Sequence, residues 1–471
     1  MIPILSVHTL PFIGEVDLAT PIFIVFILCI IATVGFELVN GFHDTANAVA
    51  TVIYTNALKP VYAIPWSGMW NFLGVALGGV AVAMGILNLV PLDHLMVLPV
   101  EVGAYMVLSV LLSSIAWNIG TWYLGIPCSS SHTMIGSMIG AGLAFKAYYG
   151  GAGVNWHKAE EIGLSLILSP IVGFGLSIFL LFFLKKAFSK TRLFDIPKND
   201  HDKPPILIRL LLITTCMLVS FFHGSNDGQK GVGLFMLILI AFLPGHYAVN
   251  HSISNQKISQ NIYNTRQVIS RIKPGDAVMK VRITELDKAL VTTDSLAKNP
   301  AAKKNYTFRK QVEKIVAGVN AILKDKNIKL SDNDHKTLEA ELKQTDKLTQ
   351  FAPVWVIAII STALGIGTMI GWKRIVVTIG EKIGNEHLSY AQGGTAEIVA
   401  ASTIGLSTGL GLPVSTTHVL SSGIAGAMVA SGGTKNLNSR TLRSIALAWV
   451  LTLPVAIALA FLFFALFHLF I

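Results

Sequence analysis

Two polar motifs that each contain an aspartate lie in strongly apolar parts of the chain. GFHDTANAVA at residues 41–50 contains Asp44, and GSNDGQKGVG at residues 224–233 contains Asp227. A carboxyl group at the centre of a membrane helix costs on the order of 2.5–3.5 kcal/mol, so it is expected to have a function. It could accept a hydrogen bond from a protonated substrate, bind a cation or carry a proton; a structural pair with a lysine or a helix end is the alternative. Further donors and acceptors beside the two acids come from His43, Asn47, Asn226, Gln229 and Lys230.

Two other motifs predict the beginnings of helices. LGIPCSSSHTMIGSMIGAGLA at residues 124–144 and LGLPVSTTHVLSSGIAGAMVA at residues 410–430 each have a proline followed by hydroxyl residues, which is a typical helix start. A helix N-terminus has free N–H groups and a partial positive charge, so it binds anions. Ordinary N-capping or close helix packing is the alternative role. The hydroxyl groups that could reach an anion belong to Ser129, Ser130, Ser131, Ser415, Thr416 and Thr417.

The four motifs form an internal repeat. The Asp motif precedes the Pro-Ser-His motif in both parts of the chain, with Asp44 matching Asp227 and Pro127 matching Pro413. Asp227 and Pro413 lie further apart in the sequence than Asp44 and Pro127. The difference is nearly the length of a hydrophilic segment at residues 251–350. The repeat therefore predicts two homologous halves, with inverted repeats favoured over parallel ones. This is the architecture of secondary transporters, whose substrate lies where the repeats meet. We expect the two helix starts to meet there and to enclose a small oxyanion.

The composition indicates a membrane protein. Of 471 residues, 52% are hydrophobic and 13% are charged, whereas soluble domains carry about 25% charge. Because barrel-type alternation is missing, we predict an all-α polytopic membrane protein of two halves with broken or re-entrant helices and about ten to twelve transmembrane segments. The predicted spans lie near 18–40, 62–89, 103–125, 161–185, 206–222, 232–250, 351–371, 390–410 and 444–470, with half-length helices at 129–148 and 416–430.

The pattern of charge predicts the domains and the orientation. Residues 251–350 hold 19 Lys and Arg against 11 Asp and Glu, which is most of the net charge of +10. We interpret this segment as a cytoplasmic helical insert, by default a solvated linker, and not as a nucleic-acid-binding domain. The basic loop at 185–209 predicts that the N- and C-termini face outside. The predicted domains are a first membrane repeat at 1–205, the start of the second at 206–250, the insert at 251–350 and the rest of the second repeat at 351–471.

Four further side chains could couple transport to a cation or adjust the charge of the site. Glu37 lies two helical turns before Asp44, and Glu397 lies in the apolar stretch 390–410. Either acid could carry a coupling proton, and a packing hydrogen bond is the alternative for Glu397. The candidate counterpart of Glu397 in the first half is WNFLGVALGG at residues 70–79, with Asn71 in place of the acid. The other two are His132 and His418, for which proton carrier and packing histidine are equally supported.

The motifs resemble the signatures of the inorganic phosphate transporters called PiT. That family carries a duplicated Gly-x-Asn-Asp-x-x-Asn and a duplicated Pro-x-Ser-x-x-His, which read GFHDTAN, GSNDGQK, PCSSSH and PVSTTH here. The resemblance covers both membrane halves and is greatest to the bacterial low-affinity branch, which is proton-coupled and can move phosphate as a neutral divalent-metal complex. It implies a symporter, not an enzyme, that imports phosphate across the inner membrane by alternating access. It also implies that there is no resident cofactor and that a proton or sodium, with or without magnesium, is co-transported.

The resemblance further implies which residues contact the substrate. Asp44 and Asp227 are the implied ligands of an accompanying metal, and His43 and Lys230 depart from the asparagines of the family signatures. A lysine has no acceptor atom, so Lys230 would repel or replace a sodium ion, which favours protons. The implied phosphate contacts are Asp44, Asn47, Asn226 and Asp227 with Ser129, Ser130, Ser131, Ser415, Thr416 and Thr417.

Three other functions stay open at this point. A transporter of sulfate or another oxyanion, or a sodium-coupled one, would have the same repeat. A hydrolase could use Ser131, His132 and Asp44, although a duplicated arrangement argues against a single catalytic centre. A channel would conduct without coupling. A homo-oligomer is compatible with all of them.

Overall fold

The computed structural model describes residues 5–44, 46–90, 92–95, 98–199, 202–272, 276–299, 306–325, 327–328 and 330–470. These residues fold as two compact units. The first comprises Met1–His94, Leu98–Leu237 and Pro353–Ile471, and the second comprises Leu95–Val97 and Ile238–Ala352.

The chain begins with a hairpin that the sequence analysis did not predict. The strands Leu5–Leu10 and Gly14–Ala19 pair antiparallel, with Leu10 opposite Gly14. Phe12 and Gly14 have φ values of +66° and +87° in the turn, a conformation that glycine adopts most easily. The helix that corresponds to the predicted first span at 18–40 therefore begins at Thr20, directly after the second strand.

The first half of the membrane unit contains the predicted helices with small shifts at their ends. Pro60 begins its helix as the first helical residue, and Pro99 precedes its helix as the N-cap, because proline needs no backbone donor there. The helices of this half are Thr20–Asp44, Ala46–Tyr54, Pro60–Leu77, Ala81–Leu87, Leu92–Leu95, Val100–Tyr123, Ser130–Tyr149 and Trp156–Phe188, and a 3₁₀ turn at Arg192–Phe194 follows.

The second half repeats this order. Its helices are Ile206–His223, Gln229–Phe242, Val354–Met369, Lys373–Val377, Tyr390–Gly409, Thr416–Gly432 and Ser439–His468. Two π-turns, Gly224–Gly228 and Thr378–Lys382, and a 3₁₀ turn, Thr434–Asn436, interrupt or join them. We call Ser130–Tyr149 the first serine helix and Thr416–Gly432 the second serine helix.

The predicted broken helices are confirmed. Pro60–Leu77 and Ala81–Leu87 meet at an angle of 71°, and Val354–Met369 and Lys373–Lys382 meet at 58°. The breaks fall at Gly79 and Gly371, whose φ values of +79° and +69° end the helical path.

Among the residues that the structure describes, five helical stretches are long and apolar enough to cross a membrane, or seven if each bent pair counts as one span. The two serine helices and Tyr390–Gly409 lie outside this set because they are shorter or more polar. The prediction of ten to twelve segments includes these helices.

Each serine helix packs against the final helix of the other half. The first contacts Ser439–His468 and the second contacts Trp156–Phe188. Glycines at the same position of the two motifs allow the contact: a Cβ at Gly140 would lie 2.1 Å from the backbone oxygen of Ile457, and one at Gly426 would lie 2.4 Å from that of Phe174. The two halves are therefore joined by the packing of each serine helix against the last helix of the other half.

The second unit contains the hydrophilic segment. Its helices are Pro244–Tyr247, Asn255–Ile269, Ala277–Lys298, Tyr306–Lys324 and Asp332–Asp346. Val312, Ile315, Val319 and Ile322 recur at helical spacing on Tyr306–Lys324 and are all buried. Arg309 is buried and donates to the backbone oxygens of Ala248 at 3.1 Å and Thr349 at 3.3 Å, which joins the two ends of the segment.

Candidate functional site

Both predicted helix starts are present and capped in the same way. The Ser129 hydroxyl accepts from the backbone N–H of His132 at 3.2 Å, and the Ser415 hydroxyl accepts from that of His418 at 3.1 Å. The side chains of Ser129 and Ser415 therefore have the capping role that the sequence allowed as the alternative. The hydroxyl residues that follow each cap do not cap the helix. They are Ser130 and Ser131 in the first motif and Thr416 and Thr417 in the second.

The two helix starts meet at the Asp44 carboxylate. Asp44 is the last residue of Thr20–Asp44 and is buried. Its Oδ2 accepts from the Ser130 hydroxyl, and its Oδ1 accepts from the Thr417 hydroxyl at 2.6 Å. Ser130 belongs to the first half and Thr417 to the second, so one carboxylate links both serine helices.

The second acid lies beside a buried lysine. Asp227 is part of the π-turn Gly224–Gly228, a type of irregularity that is frequent at functional sites. The ammonium of Lys230 is 2.8 Å from Asp227 Oδ1, and the Thr416 hydroxyl is 3.5 Å from Asp227 Oδ2. Lys230 also donates to the Ser131 hydroxyl, so this cluster contains both halves as well.

The contacts of Ser131 do not support hydrolysis. Its hydroxyl donates to the backbone oxygen of Val414 at 2.7 Å and accepts from Lys230. His132 instead has its Nδ1 at 2.9 Å from the Ser129 hydroxyl. The proposed nucleophile, base and acid are thus engaged with different partners, whereas a hydrolytic triad needs them hydrogen-bonded in series.

His223 is a site residue that the sequence analysis missed. Its Nε2 lies 3.7 Å from Asp44 Oδ2 and 3.8 Å from Asp227 Oδ2, and its Nδ1 is 2.8 Å from the Asn71 amide oxygen. Ligand atoms of Asp44, His223 and Asp227 lie within 4.8 Å of one another, so the three could hold a metal ion. The available signal was a histidine one helical turn before Asp227 in an apolar helix.

Asn226 holds the loop that leads into the second serine helix. Its amide nitrogen donates to the Thr408 hydroxyl at 3.0 Å and to the Leu412 backbone oxygen at 3.1 Å, and its oxygen accepts from the Val414 N–H at 3.2 Å. It therefore positions the helix start in this structure. The prediction for the side chain of Asn47 falls outside the described residues.

The predicted charge-tuning residues lie in three different places. Glu37 accepts from Asn40 at 3.3 Å and lies against Gly231, where a Cβ would come within 2.1 Å of Glu37 Oε1. His43 has its Nδ1 3.7 Å from Asp44 Oδ1 and its Nε2 3.3 Å from the Thr121 hydroxyl. His43 thus lies beside Asp44, whereas Glu37 lies beside the helix Gln229–Phe242.

Glu397 forms a separate polar cluster. It is fully buried and accepts hydrogen bonds from the hydroxyls of Thr51 and Thr215. The order of helices corrects the proposed counterpart: Glu397 lies on the helix immediately before the second serine helix, whereas Asn71 lies on Pro60–Leu77, ahead of the helix Val100–Tyr123 that precedes the first.

The two motif histidines contact each other. The rings of His132 and His418 have centroids 4.4 Å apart, and His418 stacks on Trp449 at 3.9 Å. The stacking is compatible with packing as well as with proton transfer.

The comparisons with known proteins agree with this architecture. The model of the phosphate transporter family matches residues 40–460. The chain belongs to this family. It is 40% identical over 467 residues to the low-affinity inorganic phosphate transporter PitA of Escherichia coli (strain K12), covering 90% of this chain and 93% of that protein. It is 39% identical over 473 residues to PitB of the same strain, covering 90% and 93%.

More distant relatives extend this agreement. The chain is 30% identical over 433 residues to a probable low-affinity inorganic phosphate transporter of Bacillus subtilis (strain 168), covering 92% of this chain and 94% of that protein. A solved structure described as the sodium-dependent phosphate transporter is similar in fold, with a TM-score of 0.56, 21% identity, and coverage of 95% of this chain and 100% of that one. The family and fold confirm the predicted helical membrane transporter, and the named relatives are transporters and not enzymes.

Proposed function

We propose that the chain is a secondary active symporter that imports inorganic phosphate, driven by protons, through alternating access of its two halves. The single observation that carries the proposal is the meeting of both serine helices at Asp44, through Ser130 and Thr417. Two helix N-termini from opposite halves supply the partial positive charge and donor groups that an oxyanion needs. Among the candidate oxyanions we propose phosphate, because the relatives named above are phosphate transporters.

The two buried acids restrict the form of phosphate that the site can bind. A fully ionised oxyanion would be repelled by Asp44 and Asp227, whereas a protonated phosphate can donate a hydrogen bond to either carboxylate. Ser130 and Thr417 would then turn their hydroxyls from Asp44 to the substrate. We assign Ser131, Thr416 and the capping residues Ser129 and Ser415 to the wall of the same site.

The buried charges favour a co-transported cation. In the described part of the membrane unit, the fully buried acids are Glu37, Asp44, Asp227 and Glu397, whereas Lys230 is the one fully buried lysine or arginine. Because uncompensated buried charge is costly, this excess of carboxyl groups requires protons or a metal ion during the cycle. Protons are our first choice, and Glu397 and the pair His132 and His418 are the candidate carriers.

A divalent metal–phosphate complex is the form of substrate that the site suits best. Asp44, His223 and Asp227 offer two carboxylates and an imidazole within reach of one ion. Magnesium usually keeps several waters and binds through one or two carboxylates together with phosphate oxygens. Such a complex would reduce the negative charge that enters the site.

For the orientation, we propose that both termini face outside and that the insert at 251–350 faces the cytoplasm. The basic loop at 185–209 supports this arrangement through the positive-inside bias. The Escherichia coli relatives support a place in the inner membrane.

Uptake into proteoliposomes tests the proposal. Phosphate accumulation should follow an imposed pH gradient, should not follow a sodium gradient, and should increase with magnesium. Arsenate should compete and sulfate should not. Uptake that follows sodium alone would favour the sodium-coupled alternative, competition by sulfate would favour another oxyanion, and equilibration without accumulation would indicate a channel.

A further inference from the structure

The ammonium of Lys230 lies in a cage of oxygen atoms from both halves. The side chain is fully buried. Its Nζ is 2.8 Å from Asp227 Oδ1 and 3.4 Å from the backbone oxygen of Val414, and it donates to the Ser131 hydroxyl. The cage therefore consists of one carboxylate, one carbonyl and one hydroxyl.

The three oxygens are held in place without the lysine. Ser131 donates to the Val414 oxygen at 2.7 Å, so this pair is already aligned. Val414 lies in the loop before the second serine helix, and the amide oxygen of Asn226 fixes its N–H. The Thr416 hydroxyl lies 3.5 Å from Asp227 Oδ2, so the carboxylate has a contact besides the lysine. Removing the ammonium would therefore leave a set of oxygen atoms that includes the Asp227 carboxylate without its lysine partner.

This set of ligands is the kind that hard monovalent cations prefer. Carboxylate, carbonyl and hydroxyl oxygens bind such ions in proteins, and non-helical carbonyls beside helix ends coordinate coupling ions in transporters. An ammonium is a compact point charge with three donors and no acceptor, so it can take the place of a cation but cannot leave.

We propose that Lys230 is a tethered cation that fills a monovalent-cation site built from both halves, and that it thereby determines which ion the protein can use. With Lys230 present, no free sodium ion enters this position. With its ammonium removed, the same oxygens bind sodium. The inference deepens the proposed function, since it explains why a family member would not need sodium at this point of the site.

Sodium binding to the purified Lys230→Ala variant tests the inference without transport. We expect the unfolding midpoint of the variant to rise saturably with NaCl, by about 2–4 °C, relative to choline chloride at equal ionic strength. The unaltered protein should not respond. The matched control is Lys158→Ala, which removes a lysine paired at 2.9 Å with Glu161 on the surface and should not create a sodium response.

Two further variants keep the test decisive. Asp227→Asn combined with Lys230→Ala should lose the sodium response, because the negative charge of the cage is gone. The glutamine of Lys230→Gln fills more of the space that the lysine side chain occupied. The unfolding midpoint of this variant should also rise with sodium. A Lys230→Ala protein that folds only when sodium is present would also support the inference. The inference would be overturned if each variant, Lys230→Ala and Lys230→Gln, had the same stability in sodium as in choline, or failed to fold in both salts.

Phosphate uptake supplies a second readout. Lys230→Ala in proteoliposomes should take up phosphate poorly in choline and at least about tenfold faster under an inward sodium gradient, as expected if sodium must compensate the buried charge. If the unaltered protein moves no phosphate, the proposed function fails, but sodium binding to Lys230→Ala still decides the inference. If the unaltered protein transports and the variant ignores sodium in both assays, only the inference fails.

Discussion

Replacing Asp44 by asparagine tests the central geometry, because the two residues have nearly the same shape. The carboxylate accepts one hydrogen bond from Ser130 and one, at 2.6 Å, from Thr417. Asparagine keeps one acceptor oxygen and has an amide NH2 group, which donates, in place of the other oxygen. One of the two hydroxyls then has to rotate and accept instead, which a serine or threonine can do.

The expected effects on folding and on transport differ in size. A hydrogen bond to a charged group contributes about 1.5–3 kcal/mol and both bonds become neutral in the variant. Because asparagine also removes the cost of burying a charge, we expect the free energy of unfolding to fall by only about 1–2 kcal/mol. Transport loses the negative charge that binds the protonated phosphate or its metal. We expect uptake to fall at least about 100-fold, equivalent to about 2.7 kcal/mol.

Uptake into proteoliposomes and thermal unfolding should be measured for Asp44→Asn, Ser130→Ala, Thr417→Ala and the two double variants. Because both hydroxyls touch the same carboxylate, each pair should show coupling of about 0.5–3 kcal/mol in a double-mutant cycle. Near-normal uptake by Asp44→Asn, with the protein folded, would remove this carboxylate from the mechanism. Additive effects of both pairs would contradict the joint contact of the two halves at Asp44.

Three further variants address other parts of the structure. Glu397→Gln should lower proton-driven uptake while phosphate exchange across the membrane persists, since exchange needs no net proton movement; equal loss of both would assign Glu397 to packing. Gly140→Ala should lower stability by about 1–3 kcal/mol through its clash with the backbone oxygen of Ile457. Gly163→Ala, where a Cβ meets nothing within 4 Å, serves as its control in thermal unfolding, and equal midpoints would contradict the close packing. Arg309→Leu leaves two carbonyls of the insert unpaired at about 1–3 kcal/mol each, so limited proteolysis within 251–350 should accelerate while phosphate uptake is unchanged; unchanged digestion would contradict this reasoning.

The local elements of the fold could be predicted from the sequence because their signals are local. Apolar length predicted the spans, and the proline with its hydroxyl residues predicted both serine helices, whereas the capping role that Ser129 and Ser415 have was the alternative to anion binding. The hairpin at Leu5–Ala19 was missed because its turn depends on the backbone conformations of Phe12 and Gly14, which composition does not reveal.

The contacts of the site could be predicted only in part, because they depend on which side chains meet across the two halves. The repeat predicted that the helix starts would come together, but not that they would share Asp44. His223 was overlooked because its partners, Asp44 and Asn71, are far away in the sequence. The phosphate, metal and proton roles of these residues stay predictions until they are measured.

The exchanged packing of the serine helices affects how the protein is made. The first serine helix ends at Tyr149, but the helix that covers its Gly140 face begins only at Ser439. At a synthesis rate of about 5–20 residues per second, roughly 15–60 seconds pass between the emergence of the two. During that interval the ribosome has delivered a polar helix start into the bilayer without its partner, so membrane-insertion factors have time to act on this helix. Chains truncated before residue 439 should therefore be recognised by quality-control proteases even though their first half is complete.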